Sequence, residues 1–287
     1  MQEPGFGFHL SISKGIASAA TEAASKNYKV FQLFVSNPRM WRFNRPDQKS
    51  ADEFIETTRS KSITPFAHMP YICNLASPRD EIYKKSIDIA IQNMNECDAL
   101  GIRNLVFHMG SHLGSGAATG KERLKNAIYE ILENTGDTNM LLENSAGYSN
   151  SMGSSISEIV QVINDIGSAR VGMCIDTCHL FAAGYDLSKS EVVSSISSGI
   201  LQTVGSNTIK LVHLNDSKYP LGSGLDRHWH IGKGYIGEKG FINLFADKML
   251  GAGPFVMETP YENEKSEEQN LRNAIRLFKK AKEANTK

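Results

Sequence analysis

Short runs rich in β-branched and aromatic residues recur along the chain, and segments with a helical spacing of apolar residues separate them. Several of the runs are nearly continuous in hydrophobicity, which is typical of parallel strands buried on both faces. This pattern predicts eight strands, at residues 5–12, 29–35, 64–70, 103–110, 139–145, 170–177, 209–216 and 253–260.

The segments between these runs have the patterns of amphipathic helices. Residues 80–100 and 266–283 place apolar side chains at helical spacing among polar neighbours. Ser155, with Glu158 three residues further on, has the spacing of a capping box that begins another helix. Eight alternations of strand and helix within 287 residues predict an α/β fold, a single (β/α)8 barrel domain over residues 1–287. An open doubly wound sheet is the alternative, but no G-x-G-x-x-G sequence follows the first strand.

The composition is that of an ordinary globular protein, with 40% hydrophobic and 22% charged residues. The formal net charge of zero gives no support to a nucleic-acid partner, although it is compatible with a local basic groove. No apolar run approaches the roughly 18 residues that span a bilayer, and the N-terminus lacks the pattern of a signal peptide. The four cysteines include no C-x-x-C pair, so we expect buried thiols in a reducing cytoplasm.

Ionisable residues recur where the predicted strands end. Six strands end in or near a histidine or an acid, and the following loops add three more, giving His68, His108, Glu143, Asp176, His213 and Glu258, then His179, Asp226 and His228. Each alone is more often a structural histidine or a helix cap. Together, they would meet at the C-terminal face of the barrel, where adjacent carboxylates need a counter-charge. Imidazoles and carboxylates are ligands for zinc and similar ions, so the pattern predicts a metal site.

Nine ligands are too many for one ion and suit two or three, with one carboxylate bridging. The four carboxylates of the set supply a charge of −4, and three divalent ions would supply +6. The site would then be cationic within a neutral protein. We therefore expect it to attract an anion, with phosphate as the main candidate.

Several long segments, in the same order along the chain, resemble the endonuclease IV family of apurinic/apyrimidinic endonucleases. The segment "GMCIDTCHLFAAGYD" (172–186) closely resembles that family's signature, with Met173 where a valine is usual. The segments "HMPYICNLAS" (68–77), "LVHLNDSK" (211–218) and "DRHWHIGKGYIG" (226–237) resemble three further motifs, and "NPRMWR" (37–42) resembles the DNA-contact loop. The resemblance covers essentially the whole chain. It implies a (β/α)8 barrel with three zinc ions.

The same resemblance assigns the ligands to ions by motif. His68, His108 and Glu143 would hold the first ion. Glu143 would bridge to a second ion that also takes Asp176, His213 and Glu258, while His179, Asp226 and His228 would hold the third. Glu143 and Glu258 would be the catalytic ligands, the first by fixing the spacing of two ions and the second by orienting the nucleophile.

The resemblance also implies how DNA is held. Arg39, Met40, Tyr71 and Ile72 would enter the duplex at the lesion, and Arg39 and Tyr71 would fill the gap left by the missing base. Met40 stands where the family resemblance leads us to expect a glutamine, so it cannot hydrogen-bond a base edge. We expect His9 to support a metal ligand, and His112 either to do the same or to touch a DNA phosphate.

The implied reaction is hydrolysis of the phosphodiester 5′ to an abasic site in duplex DNA, leaving a 3′-hydroxyl and a 5′-deoxyribose phosphate. We also expect the same site to trim 3′ ends. The protein is expected to be a cytoplasmic monomer. One alternative is a sugar isomerase or epimerase of the xylose-isomerase-like barrels, which needs a single ion at a site like Glu143, Asp176, His213 and Glu258. A non-enzymatic DNA-damage binding module is another, and its expected signature, lost ligands, is not seen.

Overall fold

The computed structural model describes residues 4–284 and shows eight parallel strands arranged as a barrel with alternating helices. The barrel strands are β1 (Phe6–Phe8), β2 (Val30–Phe34), β3 (Thr64–His68), β4 (Asn104–His108), β5 (Asn139–Glu143), β6 (Val171–Asp176), β7 (Ile209–His213) and β10 (Phe255–Met257). Two short strands, β8 (Asp216–Ser217) and β9 (His228–Trp229), form a separate antiparallel pair.

The helices alternate with these strands. They are α1 (Ile16–Ser25), α2 (Gln48–Ser60), α3 (Asp80–Ala99), α4 (Ala117–Glu133), α5 (Ile156–Ile166), α6 (Thr177–Ala182), α7 (Ser190–Val204), α8 (Gly237–Ala246) and α9 (Glu264–Ala284). A 3-10 turn, Leu250–Ala252, precedes the last strand. The two helices expected at 80–100 and 266–283 therefore agree with α3 and α9 within two residues.

The strand order is β1-β10-β7-β6-β5-β4-β3-β2, so the first two strands are the two ends of the sheet. These ends meet beside His9 and Gln32, which form a parallel bridge, and Leu10 N donates to Gln32 O at 2.8 Å. The contact brings the sheet round into a barrel. The predicted fold is confirmed, and the open doubly wound sheet is excluded.

All eight predicted strands are present, and all are shorter than predicted, the first and the last most of all. β1 covers residues 6–8 of the predicted 5–12, and β10 covers residues 255–257 of the predicted 253–260. His9 and Glu258, just beyond the ends of these two strands, contact each other and Gln32 through their side chains. The apolar pattern thus predicted the strands and overestimated their lengths.

The interior of the barrel has an apolar layer beneath a polar one. One cluster of buried side chains takes one residue from each of seven strands, namely Val30, Phe66, Val106, Leu141, Cys174, Leu211 and Val256. Side chains alternate along a strand, so the residue two positions further on faces the same way. Those residues are Gln32, His68, His108, Glu143, Asp176, His213 and Glu258, and β1 adds Gly7 followed by His9. The apolar layer is therefore the floor of a polar site.

The start of α5 corrects one sequence prediction. Ser155 occupies the N-cap position as predicted, but its side chain makes no capping hydrogen bond and lies instead 2.5 Å from Ser157 Oγ. Glu158 does not complete the expected capping box, because its Oε2 accepts a hydrogen bond from Gly153 N at 2.7 Å instead. The acid thus fastens the preceding loop rather than the helix start.

The last helix is fastened to the beginning of the barrel by a buried carboxylate. Glu267 of α9 accepts hydrogen bonds at Oε1 from Tyr28 O–H at 2.6 Å and from Lys26 Nζ at 2.5 Å. Tyr28 is buried, and its burial, together with the hydrogen bond to Glu267, raises the pKa of its phenol well above the usual value.

Between residues 4 and 284, the helices are too short or too polar for any of them to cross a membrane.

Candidate metal centre

The nine predicted ligands lie at or beyond the C-terminal ends of the barrel strands. His68, His108, Glu143, Asp176 and His213 are the last residues of the five consecutive strands β3 to β7. Glu258 directly follows β10, His179 lies in α6, Asp226 lies between β8 and β9, and His228 begins β9. Their donor atoms form overlapping groups whose members lie within 4.8 Å of one another, among them His68–His108–Glu143 and His179–Asp226–His228.

Glu143 lies at the centre of the arrangement and presents its two carboxylate oxygens to different partners. Oε2 lies 3.3 Å from His68 Nε2 and 3.4 Å from His108 Nδ1, whereas Oε1 lies 2.9 Å from His213 Nδ1. The Oε1 atom is also 3.5 Å from His179 Nδ1. A carboxylate placed in this way can serve two metal ions at once.

A second group of donors surrounds His213. Its Nδ1 lies 3.4 Å from Glu258 Oε2 and 3.9 Å from Asp176 Oδ2, in addition to the contact with Glu143. Asp176 also caps α6, because its Oδ1 accepts a hydrogen bond from His179 N at 2.8 Å. The cap engages one oxygen and leaves Oδ2 directed at His213 and at His228 Nε2, which is 3.5 Å away.

The third group provides the most direct test of whether these side chains fit a metal ion. His179 Nε2 and His228 Nε2 are buried and have no hydrogen-bond partner within residues 4–284. They lie 3.2 and 3.3 Å from the same atom, Asp226 Oδ1. Lone pairs of two imidazoles that face a carboxylate oxygen are unfavourable unless a positive charge lies among them. A divalent cation supplies that charge, so the donor set fits a metal ion.

Hydrogen bonds to the opposite ring nitrogens set which imidazole atom is free to bind. Carbonyl oxygens accept from His68 Nδ1 at 2.8 Å (Met69 O), from His179 Nδ1 at 2.9 Å (Asn144 O) and from His228 Nδ1 at 3.1 Å (Glu258 O). A carbonyl can only accept, so these nitrogens carry a proton, and in the neutral imidazole each Nε2 keeps its lone pair. Such partners are typical of histidines that bind metals.

The carboxylates make the site strongly attractive to positive charge. Burial works to raise the pKa of Glu143, but the charges of His108 and His213 hold it well below its usual value. Burial works to lower the pKa of His179, but Asp176, Asp226 and Glu143 raise it well above the usual value. A metal ion would compete with the proton that this raised pKa favours on His179, because only the neutral imidazole binds a metal.

Three buried amides, which the sequence patterns did not single out, hold the ligands in place. Asn144 exchanges two hydrogen bonds with the backbone of Asp176, at 2.8 and 3.0 Å. Asn215 donates to Asp176 Oδ2 at 2.7 Å and accepts from Glu258 N at 2.8 Å. Gln32 contacts His213 and Glu258. The feature of the sequence that could have identified them is a side-chain amide inside an apolar strand or just after it.

The two further histidines take different places. His9 lies beside the cluster, with Nδ1 3.2 Å from Glu258 Oε1. The imidazole of His112 accepts hydrogen bonds at Nδ1 from Gly114 N and Gly116 N, both at 3.2 Å. His112 thus organises its own loop, and its contact with DNA stays a prediction.

The residues expected to contact DNA lie at the rim of this site. Arg39 and Met40 are exposed in the loop after β2, and Tyr71 N donates to Pro38 O at 3.1 Å, which joins this loop to the one after β3. The ring of Tyr71 lies 5.7 Å from that of His68 and is more than half exposed. Ile72, half-buried, lines a cavity of about 290 Å³ together with Tyr71 and His108. The structure thus brings these predicted contacts next to the metal ligands.

Exposed large apolar side chains are concentrated on the same face of the barrel. Of the eleven in residues 4–284, only Tyr129 and Leu201 lie on outer helices. The other nine lie in loops that follow strands at the C-terminal face, namely Met40, Tyr71, Leu113, Tyr148, Tyr219, Leu221, Leu225, Tyr235 and Tyr261. A groove of about 950 Å³ extends from His228 and Glu258 along α1. Exposed apolar side chains on one face occur at sites that bind macromolecular partners and in ligand-binding grooves.

The cysteines are all free thiols, and Cys97, Cys174 and Cys178 are buried. Cys174 belongs to the apolar floor, and the Sγ atoms of Cys174 and Cys178 come within 4.8 Å of ligand atoms. Burial is the main cause that raises the pKa of the Cys174 thiol to about 12 and that of Cys178 further. Packing beneath the site is the interpretation that this environment favours.

Comparison with known proteins identifies the family. A family model described as "Xylose isomerase-like TIM barrel" matches residues 20–281. The protein named "Probable endonuclease 4" of Methanoculleus marisnigri is 40% identical over 269 residues, which cover 92% of this chain and 95% of the relative. The chain belongs to the endonuclease IV family. It is therefore an enzyme, a DNA-repair nuclease, and its described residues include several groups that could hold a metal ion.

Solved structures agree with this assignment. The crystal structure of endonuclease IV from Thermus thermophilus superposes with a TM-score of 0.85 at 30% identity, covering 96% of this chain and all of the other. A D-tagatose 3-epimerase-like protein also matches, with a TM-score of 0.75 over 98% of this chain and 99% of the other. At 19% identity that likeness shows the shared barrel alone.

Proposed function

We propose that this member of the endonuclease IV family acts as a monomer and hydrolyses the phosphodiester 5′ to abasic sites in duplex DNA. The products would be a 3′-hydroxyl and a 5′-deoxyribose phosphate, and 3′-end trimming would use the same site. The observation that carries the proposal is the third donor group, His179, Asp226 and His228, with two buried imidazole nitrogens that lack a partner among the residues described. A single-ion sugar epimerase has no use for this group.

The nine donors suit three zinc ions, since the set consists of imidazoles and carboxylates. Glu143 would be a ligand shared by the first two ions, and the His179 group would hold the third. When bound, the ions supply Lewis acidity, which promotes ionisation of the attacking water and offsets charge on the phosphate. Glu258 keeps Oε2 directed at the cluster, where it can accept a hydrogen bond from that water.

The apolar and aromatic rim supports a DNA substrate. Tyr71 and Arg39 would occupy the space left by the missing base, and the neighbouring exposed rings would pack against the opened duplex. Since these residues border the metal ligands, a sugar turned out of the duplex at the lesion would bring its phosphate to the cluster. Met40 offers apolar packing in place of a base contact.

The test combines a metal count with a cleavage assay. Protein purified without added metal should contain about three ions per chain by elemental analysis, mostly zinc. It should cleave a duplex with one abasic site and leave the undamaged duplex intact. Glu258→Gln should lower the cleavage rate by about 100-fold or more while abasic DNA still binds. Glu262→Gln is the matched control, because Glu262 is an exposed acid nearby that contacts only His230 among the ionisable groups described.

Other outcomes would contradict the proposal in distinguishable ways. A reproducible value of one ion per chain, with epimerisation of a ketose, would favour the sugar epimerase. Three ions with tight binding of abasic DNA and no cleavage would favour a binding module. Cleavage that survives complete removal of metal would refute the role of the cluster.

A further inference from the structure

Gln32 is the one member of the polar layer in the barrel that cannot carry a charge. The other seven side chains of this layer, on the remaining strands, are His9, His68, His108, Glu143, Asp176, His213 and Glu258. Gln32 is fully buried and lies at the seam where β1 and β2 meet. An amide in this place needs a reason, because a buried polar side chain is costly unless all its groups are paired.

The side-chain amide of Gln32 is paired on both sides, and both partners are predicted metal ligands. Its Oε1 accepts a hydrogen bond from His213 Nε2 at 2.8 Å. Its Nε2 donates to Glu258 Oε1 at 2.8 Å and lies 2.9 Å from His9 Nδ1. One side chain of β2 therefore connects a ligand of β7 with a ligand that follows β10.

These bonds determine which ligand atoms are free. The amide oxygen keeps the proton of His213 on Nε2, so the lone pair is on Nδ1, the atom that faces Glu143 and Glu258. The amide nitrogen engages Oε1 of Glu258 and leaves Oε2, which lies 3.4 Å from His213 Nδ1. Only a side chain with both a donor and an acceptor can do this. A carboxylate at position 32 would repel Glu258, and a leucine would pair with neither.

We propose that Gln32 is a positioning residue of the metal centre, holding His213 and Glu258 in the orientation in which they bind the second ion. The inference rests on the proposed function, since it presupposes metal ions at these ligands. Gln32 itself binds no ion in this proposal. It acts by keeping the proton of His213 on Nε2, so that Nδ1 can bind the ion. It also engages Oε1 of Glu258, so that Oε2 can bind.

The experiment compares Gln32→Leu with Asn93→Leu. Asn93 of α3 is also a fully buried amide, which accepts a hydrogen bond from Ser36 Oγ and donates one to Ile89 O, and neither partner is a ligand. Zinc affinity is measured by competition with a graded chelator, and unfolding by urea with the chelator in excess. Loss of a partner that orients a ligand weakens metal binding by about 10–100-fold. We expect this loss for one ion of Gln32→Leu, whereas Asn93→Leu loses stability and keeps all three affinities.

A shorter amide separates orientation from folding if Gln32→Leu does not fold. Gln32→Asn keeps the donor and the acceptor but cannot reach both partners, so it should also weaken one ion. Wild-type protein with three ions and a folded Gln32 variant with unchanged affinities would overturn this inference and leave the proposed function intact. Wild-type protein that holds one ion would overturn the proposed function, and this inference with it.

Discussion

Asp216 closes the loop that carries two of the predicted ligands, and its removal should separate loop position from barrel stability. Its carboxylate is fully buried and accepts hydrogen bonds from Ser217 N at 2.8 Å, Gly234 N at 2.9 Å and Ile236 N at 3.0 Å. These donors lie at the two ends of residues 217–236, and Asp226 and His228 lie between them. The carboxylate therefore connects the two ends of this loop through hydrogen bonds.

The magnitude follows from the donors that lose their acceptor. In Asp216→Ala, the N–H groups of Ser217 and Ile236, both buried residues, lose their partner, as does that of Gly234, a half-buried residue. A buried donor without a partner costs about 1–3 kcal/mol, so we expect the free energy of unfolding to fall by about 3 kcal/mol. The loosened loop should also weaken the ion held by Asp226 and His228, by about 10-fold or more.

The assay needs a variant that loses similar bonds away from the site. Asp247, after α8, accepts hydrogen bonds from Met249 N at 2.9 Å and Leu250 N at 2.8 Å and contacts no predicted ligand among the described residues. Urea unfolding with excess chelator compares the stabilities without a contribution from bound metal. Chelator competition then compares the zinc affinities. If Asp216→Ala loses stability as Asp247→Ala does and keeps every ion at wild-type affinity, the carboxylate does not position the ligands.

Three further predictions follow from the site and its surroundings. Replacing Cys174 and Cys178 with alanine should leave the metal content unchanged by elemental analysis, because burial disfavours their thiolates; loss of one ion would show that a thiol binds. Arg39→Ala should weaken discrimination between abasic and intact duplex by about 1–3 kcal/mol, measured at one fixed salt concentration, and an equal loss on both duplexes would make Arg39 a phosphate contact only. The raised pKa of Tyr28 stabilises the fold below pH of about 10, and this contribution is lost as the pH rises above it, by about 1.4 kcal/mol per pH unit. In Tyr28→Phe, the urea midpoint should fall less with pH between pH 10 and 11 than in the wild type, since this is roughly the range where an unfolded tyrosine titrates. An unchanged dependence of the midpoint on pH would contradict this origin.

The sequence was most informative where chemistry and periodicity coincide. Five strands in parallel register end at an ionisable residue, and the ends of parallel strands meet at one face, so the convergence of His68, His108, Glu143, Asp176 and His213 could be expected without coordinates. The position of Glu143 at the centre could not be derived in this way, since it depends on the distances between strands across the barrel. The resemblance supplied it as a prediction.

Side chains that act through a hydrogen-bond partner were the hardest to find. Gln32 stands in an apolar strand and has no chemistry of its own that a motif would single out, and its partners lie on β7 and after β10, far away in sequence. Glu158 shows the opposite difficulty. It has the spacing of a capping box, but the loop before α5 brings Gly153 N within its reach, and tertiary geometry decided between two equally local partners.

The three donor groups depend on the barrel to different degrees. The group around His68 and the one around His213 come from strand ends and from the residue after β10, which the closed sheet holds rigidly. Asp226 and His228 come from the segment after β7, which lies outside the barrel and is held by the β8–β9 pair and by Asp216. Loops can change without loss of the core, so a third ion can be gained or lost while the barrel and its strand-end ligands persist. The nuclease chemistry that we propose therefore resides in the loops as much as in the strands.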